Sequence, residues 1–190
     1  MTSDEIAGRF RAQLRSIRSV QADPSVGMTR GLVLIPVAPD EETAAQAEEA
    51  ATAGGGEAVL TLTPATRDAA PKAVWTLPKE EQVNARITFA FDSAALAASQ
   101  KPKLREVCAA LGQAGVGVLR IIGHTDSTGP WDYNQKLSEL RAEEVKRFFV
   151  TDCRVPADRL QAVGVGEQFP YDESHPAAAA NRRVEFQAIS

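Results

Sequence analysis

Long apolar runs are missing from this sequence. The longest, at residues 31–38 and 116–123, are strand-sized, and neither approaches the ~20 residues that a membrane-spanning helix needs. No series of alternating ~10-residue segments is present either, so these residues encode no outer-membrane barrel. Histidine and cysteine are scarce, at two each, and neither CxxC nor HxxxH spacing occurs, which leaves a zinc site without its ligand pattern. Glycine-rich phosphate loops of the P-loop or dinucleotide type are also lacking, and nothing in the sequence implies a cofactor. A basic excess is absent: 21 Lys+Arg stand against 25 Asp+Glu, for a net charge of −4. That balance argues against nucleic acid as a partner, since nucleic-acid binding needs a basic face. Met1 is followed by Thr2, Ser3, Asp4 and Glu5 rather than by a basic and then an apolar export region. Either the protein is cytosolic, or an export signal lies outside these residues.

What is present is enough for a core. Hydrophobic residues make up 44% of 190, a length that suits one domain plus a surplus. The charge is unevenly divided: residues 1–82 hold 8 basic and 12 acidic side chains, and residues 83–190 hold 13 of each. Residues 1–82 read as an accessory segment. Ile6, Phe10, Leu14 and Ile17 recur at helical spacing, which predicts an amphipathic helix over 3–20, with Thr2 and Glu5 as a capping box or Ser3 as the cap. Such a helix docks on its own domain or a partner, or lies on an anionic membrane surface. Short strands are expected near 31–38 and 58–62, able to pair as a hairpin. Between them, residues 39–57 carry six acidic and no basic residues with Gly54, Gly55 and Gly56, the composition of a solvated linker.

Residues 83–190 have a different texture. Alternation of Ile87, Phe89 and Phe91 predicts a strand over 84–91. A helix follows to about Gly112, capped by Asp92 or Ser93. Further elements are a strand at 116–122, a helix at 134–150, and strands at 160–165 and 182–189. The order β-α-β-α-β-β implies an α/β fold, an α+β sandwich with helices covering one face of a mixed sheet.

Polar signals gather after the second strand of this region. In GHTDSTG at 123–129 the glycines permit a tight turn that presents Asp126, and on the following helix Asn134, Ser138 and Arg141 fall on one stripe. A carboxylate beside an arginine makes a site for a zwitterion, the acid holding an ammonium and the guanidinium a carboxylate; alternatively the two form a salt bridge between turn and helix. His124 lies in the same turn as Ser127 and Thr128, but no nucleophile elbow accompanies them. The reading is therefore of a binding protein and not an enzyme. Cys108 and Cys153 form either a disulfide, if the two helices run parallel, or two separate thiols.

The run from Gly123 to Val145 (GHTDSTGPWDYNQKLSELRAEEV), then GVGEQFP at 164–170 and NRRVE at 181–185, resembles the OmpA-like C-terminal peptidoglycan-binding domain family. That family includes domains of outer-membrane protein A, the peptidoglycan-associated lipoprotein and flagellar stator proteins. FAFDSAAL at 89–96 is similar to the start of the same domain. The resemblance implies non-covalent binding of the diaminopimelate residue of peptidoglycan. Asp126 would take its ammonium and Arg141 its carboxylate, and Asn134, beside Tyr133, would form a wall. Thr125, Leu137 and Asp92 would border the pocket, and one of Arg182 and Arg183 would reach it. It also implies a location in the periplasm or at the outer membrane. A second reading makes the chain a scaffold or oligomerisation module, with residues 1–82 recruiting a protein partner or a second copy. One departure concerns the turn before Val155 and Pro156, where the family usually carries a glycine and this chain has Thr151, Asp152, Cys153 and Arg154.

Overall fold

The computed structural model describes residues 1–22, 34–36, 73–75, 77–85, 87 and 94–190. The packing divides the chain into two units, Met1–Val33 with Trp75–Ser190, and Leu34–Val74. Strand β1 (Leu34–Pro36) pairs with β2 (Ala73–Trp75) in a two-stranded sheet. The strand expected near 58–62 and the linker at 39–57 lie outside the described residues.

Helix α1 (Ser3–Ala22) starts at the capping box: the Thr2 amide donates to Glu5 Oε2 at 2.7 Å, and the Glu5 amide donates to Thr2 Oγ1 at 3.4 Å. Its apolar stripe is buried in the domain core. Ile6, Ala7, Phe10 and Leu14 share one cluster with Leu104, Val107, Leu111 and Phe186, each fully buried large side chain contributing about 1.5–3 kcal/mol. That stripe is therefore not offered to a membrane surface. The basic residues of α1 add ties, Arg9 to the Gln82 carbonyl at 2.6 Å and Arg11 to the Gln113 carbonyl at 2.7 Å. Gln13 is wholly buried. Its Nε2 donates to the carbonyls of Glu81 (2.7 Å) and Phe186 (3.2 Å), and its Oε1 accepts the Ala188 amide at 2.8 Å. The buried amide thereby has its donor and its acceptor satisfied, avoiding the roughly 1–3 kcal/mol that an unpaired buried polar group costs.

Four strands, β3 (Val83–Ala85), β4 (Leu119–Gly123), β5 (Leu160–Gly164) and β6 (Val184–Ala188), form a sheet in the order β3-β6-β4-β5. The β3–β6 and β6–β4 pairs are antiparallel and β4–β5 is parallel. Helices α2 (Lys101–Ala114) and α3 (Trp131–Thr151) complete the fold. Val83, Ile121 and Phe186 meet in register and face the helices, with α1 over β3 and β6 and α3 over β4 and β5. The opposite face carries the buried polar residues Arg120, Glu185 and Gln187. The mixed sheet with helices on one face is thus the α/β architecture that the pattern predicts.

Element boundaries differ from the sequence expectation where local chemistry intervenes. The helix expected from about residue 93 begins at Lys101, after a 3-10 turn at Ala98–Gln100, because Pro102 has no N–H and fits only a first turn. That helix runs past Gly112 and ends at Gly115, which adopts the left-handed φ of 66°. Helix α3 starts three residues before the expected Asn134, since Pro130 in an extended conformation caps it. Asp92, Ser93, Phe89 and Phe91 lie outside the described residues. At the end of α3, Arg154 takes a φ of 59°, the left-handed conformation that a glycine would adopt without steric cost. Beside it Cys153 is disulfide-bonded to Cys108, tying this turn to α2.

Candidate functional site

The site is set by how closely α3 approaches the ends of β4 and β5. A Cβ on Gly123 would collide with the Ser138 carbonyl oxygen, and one on Gly164 with the Glu139 amide nitrogen. Two strand-end glycines therefore let the helix seat directly on the sheet. Ser138 Oγ accepts the Gly166 amide at 2.9 Å. The loop after β5 is thereby held to α3, and through the Gly166 carbonyl, which accepts the Thr125 amide at 2.8 Å, so is the turn after β4.

Within that turn the backbone is fixed from outside. The amides of His124, Thr125 and Ser127 donate to the carbonyls of Arg183 (3.0 Å), Gly166 (2.8 Å) and Pro176 (3.2 Å). Asn134 Nδ2 donates to the carbonyls of Asp126 (3.3 Å) and Thr128 (3.2 Å) and to Glu167 Oε2 (2.7 Å). Asn134 is 2% exposed, so it clamps the turn from beneath. Asp126 closes an Asx turn, its Oδ1 accepting the Thr128 amide at 3.0 Å.

Asp126 is 7% exposed, and its Oδ2 accepts from Arg182 Nη1. Burial raises the Asp126 pKa, but the guanidinium of Arg182 and the Thr128 donors together outweigh it and hold the carboxyl below its usual value. Arg141, one helical turn from both Leu137 and Ser138, lies within electrostatic reach of Asp126, Arg182 and Tyr133. Burial lowers the Arg141 pKa, aided by the like charge of Arg182 and opposed by Tyr133 and Asp126, yet at neutral pH a guanidinium remains charged. One carboxylate is thus paired with the Arg182 guanidinium and within electrostatic reach of that of Arg141; on the same helix as Arg141, Leu137 is half-buried and the Tyr133 ring exposed. Thr125 is buried next to Asp126, with no hydrogen-bond partner for its Oγ1 among the described residues.

The two adjacent arginines separate. Arg182 faces Asp126, whereas Arg183, 6% exposed, turns to the other face of the sheet. There it donates to Asn84 Oδ1 at 3.1 Å and to the Phe169 carbonyl at 3.3 Å, and lies 3.5 Å from Glu185. His124 joins this second group, with its Nε2 3.6 Å from Glu185 Oε2. Burial pushes the His124 pKa down against the opposing pull of Glu185. His175 is exposed and pairs with Asp172 at 3.1 Å. Asp92 lies outside the described residues.

Two residues of the site were not singled out from the sequence. Glu167 anchors Asn134, and its signal was its place inside the GVGEQFP run. Asn181 donates to the carbonyls of Asp172 (3.3 Å), His175 (3.0 Å) and Pro176 (2.8 Å) and accepts the Asp172 amide at 2.9 Å. It thereby fixes the loop from which Arg182 projects.

Relatives share this region. Outer membrane porin F of Pseudomonas fluorescens is 37% identical over 106 residues, covering 55% of this chain and 32% of its own length. Outer-membrane lipoprotein YfiB of Pseudomonas aeruginosa is 32% identical, over 54% of this chain and 61% of that protein. The chain therefore matches between about a third and three-fifths of these relatives' lengths. The solved structure of the cell wall anchor of the T6SS from Pseudomonas aeruginosa is 30% identical, covers 56% of this chain and 79% of that one, and superposes with a TM-score of 0.48. The model of the OmpA family matches residues 88–183, a span holding the turn, α3, Arg182 and Arg183, and on that match the chain belongs to the OmpA family.

Proposed function

We propose that this protein binds peptidoglycan without turning it over, through the diaminopimelate residue of the stem peptide. The observation that carries the reading is the buried carboxylate of Asp126, paired with the Arg182 guanidinium and within electrostatic reach of Arg141. Such a site suits an amino-acid end that brings an ammonium and a carboxylate together. Asp126 takes the ammonium, Arg141 the carboxylate, and Thr125 Oγ1, Leu137 and the Tyr133 ring border the chain between them. Charge-assisted bonds of this kind are worth about 1.5–3 kcal/mol each, so single-site affinity is modest and is reinforced by the density of wall sites.

Residues 83–190 act as the binding module, and residues 1–82 are accessory to it, their helix α1 bracing the core. Two of the named relatives are an outer membrane porin and an outer-membrane lipoprotein, and membership of the same family supports work in the periplasm or at the outer membrane. The test is sedimentation with purified diaminopimelate-type sacculi. Wild type pellets with them, while Asp126→Ala and Arg141→Ala stay in the supernatant with unchanged circular dichroism. Equal pelleting of all three removes the site from the reading.

A further inference from the structure

Asp126 is already half satisfied by the protein itself. One carboxylate oxygen accepts the Thr128 amide at 3.0 Å and the other accepts from Arg182. The Asp126 side chain is 10% exposed and that of Arg182 48%, so the member of the pair that faces solvent is the guanidinium. Arg182 lies in neither helix nor strand, between the 3-10 turn Ala179–Asn181 and β6. Its neighbours are anchored on both sides, Asn181 by the loop carbonyls and Arg183 by Asn84 and Phe169. The backbone is thus held while the long side chain can pivot about its own rotatable bonds.

The charges around this pair decide what can displace the guanidinium. A plain amine arriving at Asp126 finds the acid neutralised by Arg182 and a second cation, Arg141, nearby. If it displaces Arg182, it strands that guanidinium without an acid. A plain carboxylate leaves the Asp126–Arg182 pair intact. A ligand with ammonium and carboxylate on one carbon does both parts of an exchange, its ammonium replacing Arg182 on Asp126 and its carboxylate receiving the released guanidinium. We propose that Arg182 is the exchangeable counter-ion of Asp126 and the residue that makes the site select ligands bearing ammonium and carboxylate together. The selection follows from the ion pair alone; only the choice of diaminopimelate as the ligand rests on the function proposed above.

Cadaverine, the diamine left when both carboxylates are removed from diaminopimelate, separates the two ideas. Wild type, Arg182→Ala and Arg182→Gln are titrated with cadaverine and with diaminopimelate, following the Thr128 amide resonance, which reports on Asp126. Removing the counter-ion is expected to tighten cadaverine binding about tenfold, the equivalent of ~1.4 kcal/mol. The gain should disappear when Asp126→Asn is added. Preference for diaminopimelate over cadaverine falls by at least about the same factor. Cadaverine binding that is unchanged or weaker in both Arg182 variants overturns the proposal. Failure of the diaminopimelate reading looks different: wild type then takes up no diaminopimelate, while the cadaverine gain persists.

Discussion

Truncating Phe10 asks whether the first helix is part of the binding module or an appendage. Phe10 is fully buried, in one cluster with Leu104, Val107 and Leu111 of α2 and Phe186 of β6. Phe10→Ala removes the ring's burial and leaves a cavity that rigid neighbours cannot fill, a change that costs roughly 3–5 kcal/mol. Domains of this kind have about 5–15 kcal/mol in total, and at this size each kcal/mol moves the melting temperature by about 2–4 °C. The expected shift is therefore roughly 6–20 °C, read by thermal and urea unfolding of the full chain with its disulfide intact. Arg18→Ala, at an exposed position of the same helix, provides the control and should change stability by no more than about 0.5 kcal/mol. A loss below ~1 kcal/mol for Phe10→Ala, with the α/β domain unfolding as before, would refute the shared core.

The Cys108–Cys153 disulfide closes a loop of 45 residues, and chain-entropy reasoning assigns that closure about 4 kcal/mol. The Cys108→Ala/Cys153→Ala variant should lose a comparable amount in urea, and equal unfolding midpoints for the two proteins would contradict this. Acid should expose the Asp126 contribution: the folded-state pKa is depressed, so its stabilisation is complete above the ordinary carboxyl value of 3.8 and is lost as pH falls through the folded value. The stability difference between wild type and Asp126→Asn should hold from pH 7 to about that value and shrink below it. A difference constant into strong acid would show that the pair contributes nothing through ionisation.

Periodicity made much of the domain legible. The apolar stripe of α1 gives the right element because burial on one face imposes the helical period on the sequence, and the apolar run ending at Gly123 gives β4 because a strand buried on both faces reads as a continuous run. Element ends were less legible. Pro102 forces α2 to start late and Pro130 lets α3 start early, effects of single rings that a count of apolar positions passes over. In the site, spacing suggested Asp126 beside Arg141; the folded molecule brings Arg141 within electrostatic reach of Asp126 but gives the carboxylate Arg182 as its ion-pair partner.

The partition of the two arginines could not be read in this way. Arg182 and Arg183 are adjacent and chemically identical, and their roles depend on where the chain leaves the Asn181 loop to enter β6. Only the folded molecule sends one to Asp126 and the other to Asn84, Phe169 and Glu185. The same holds for α1. Its amphipathic pattern required an apolar partner, but the identity of that partner, the face formed by α2, β3 and β6, comes from contacts between residues far apart in the chain. Local pattern decides which groups must be buried or paired; which partner each one meets is set by the tertiary path that brings distant segments together.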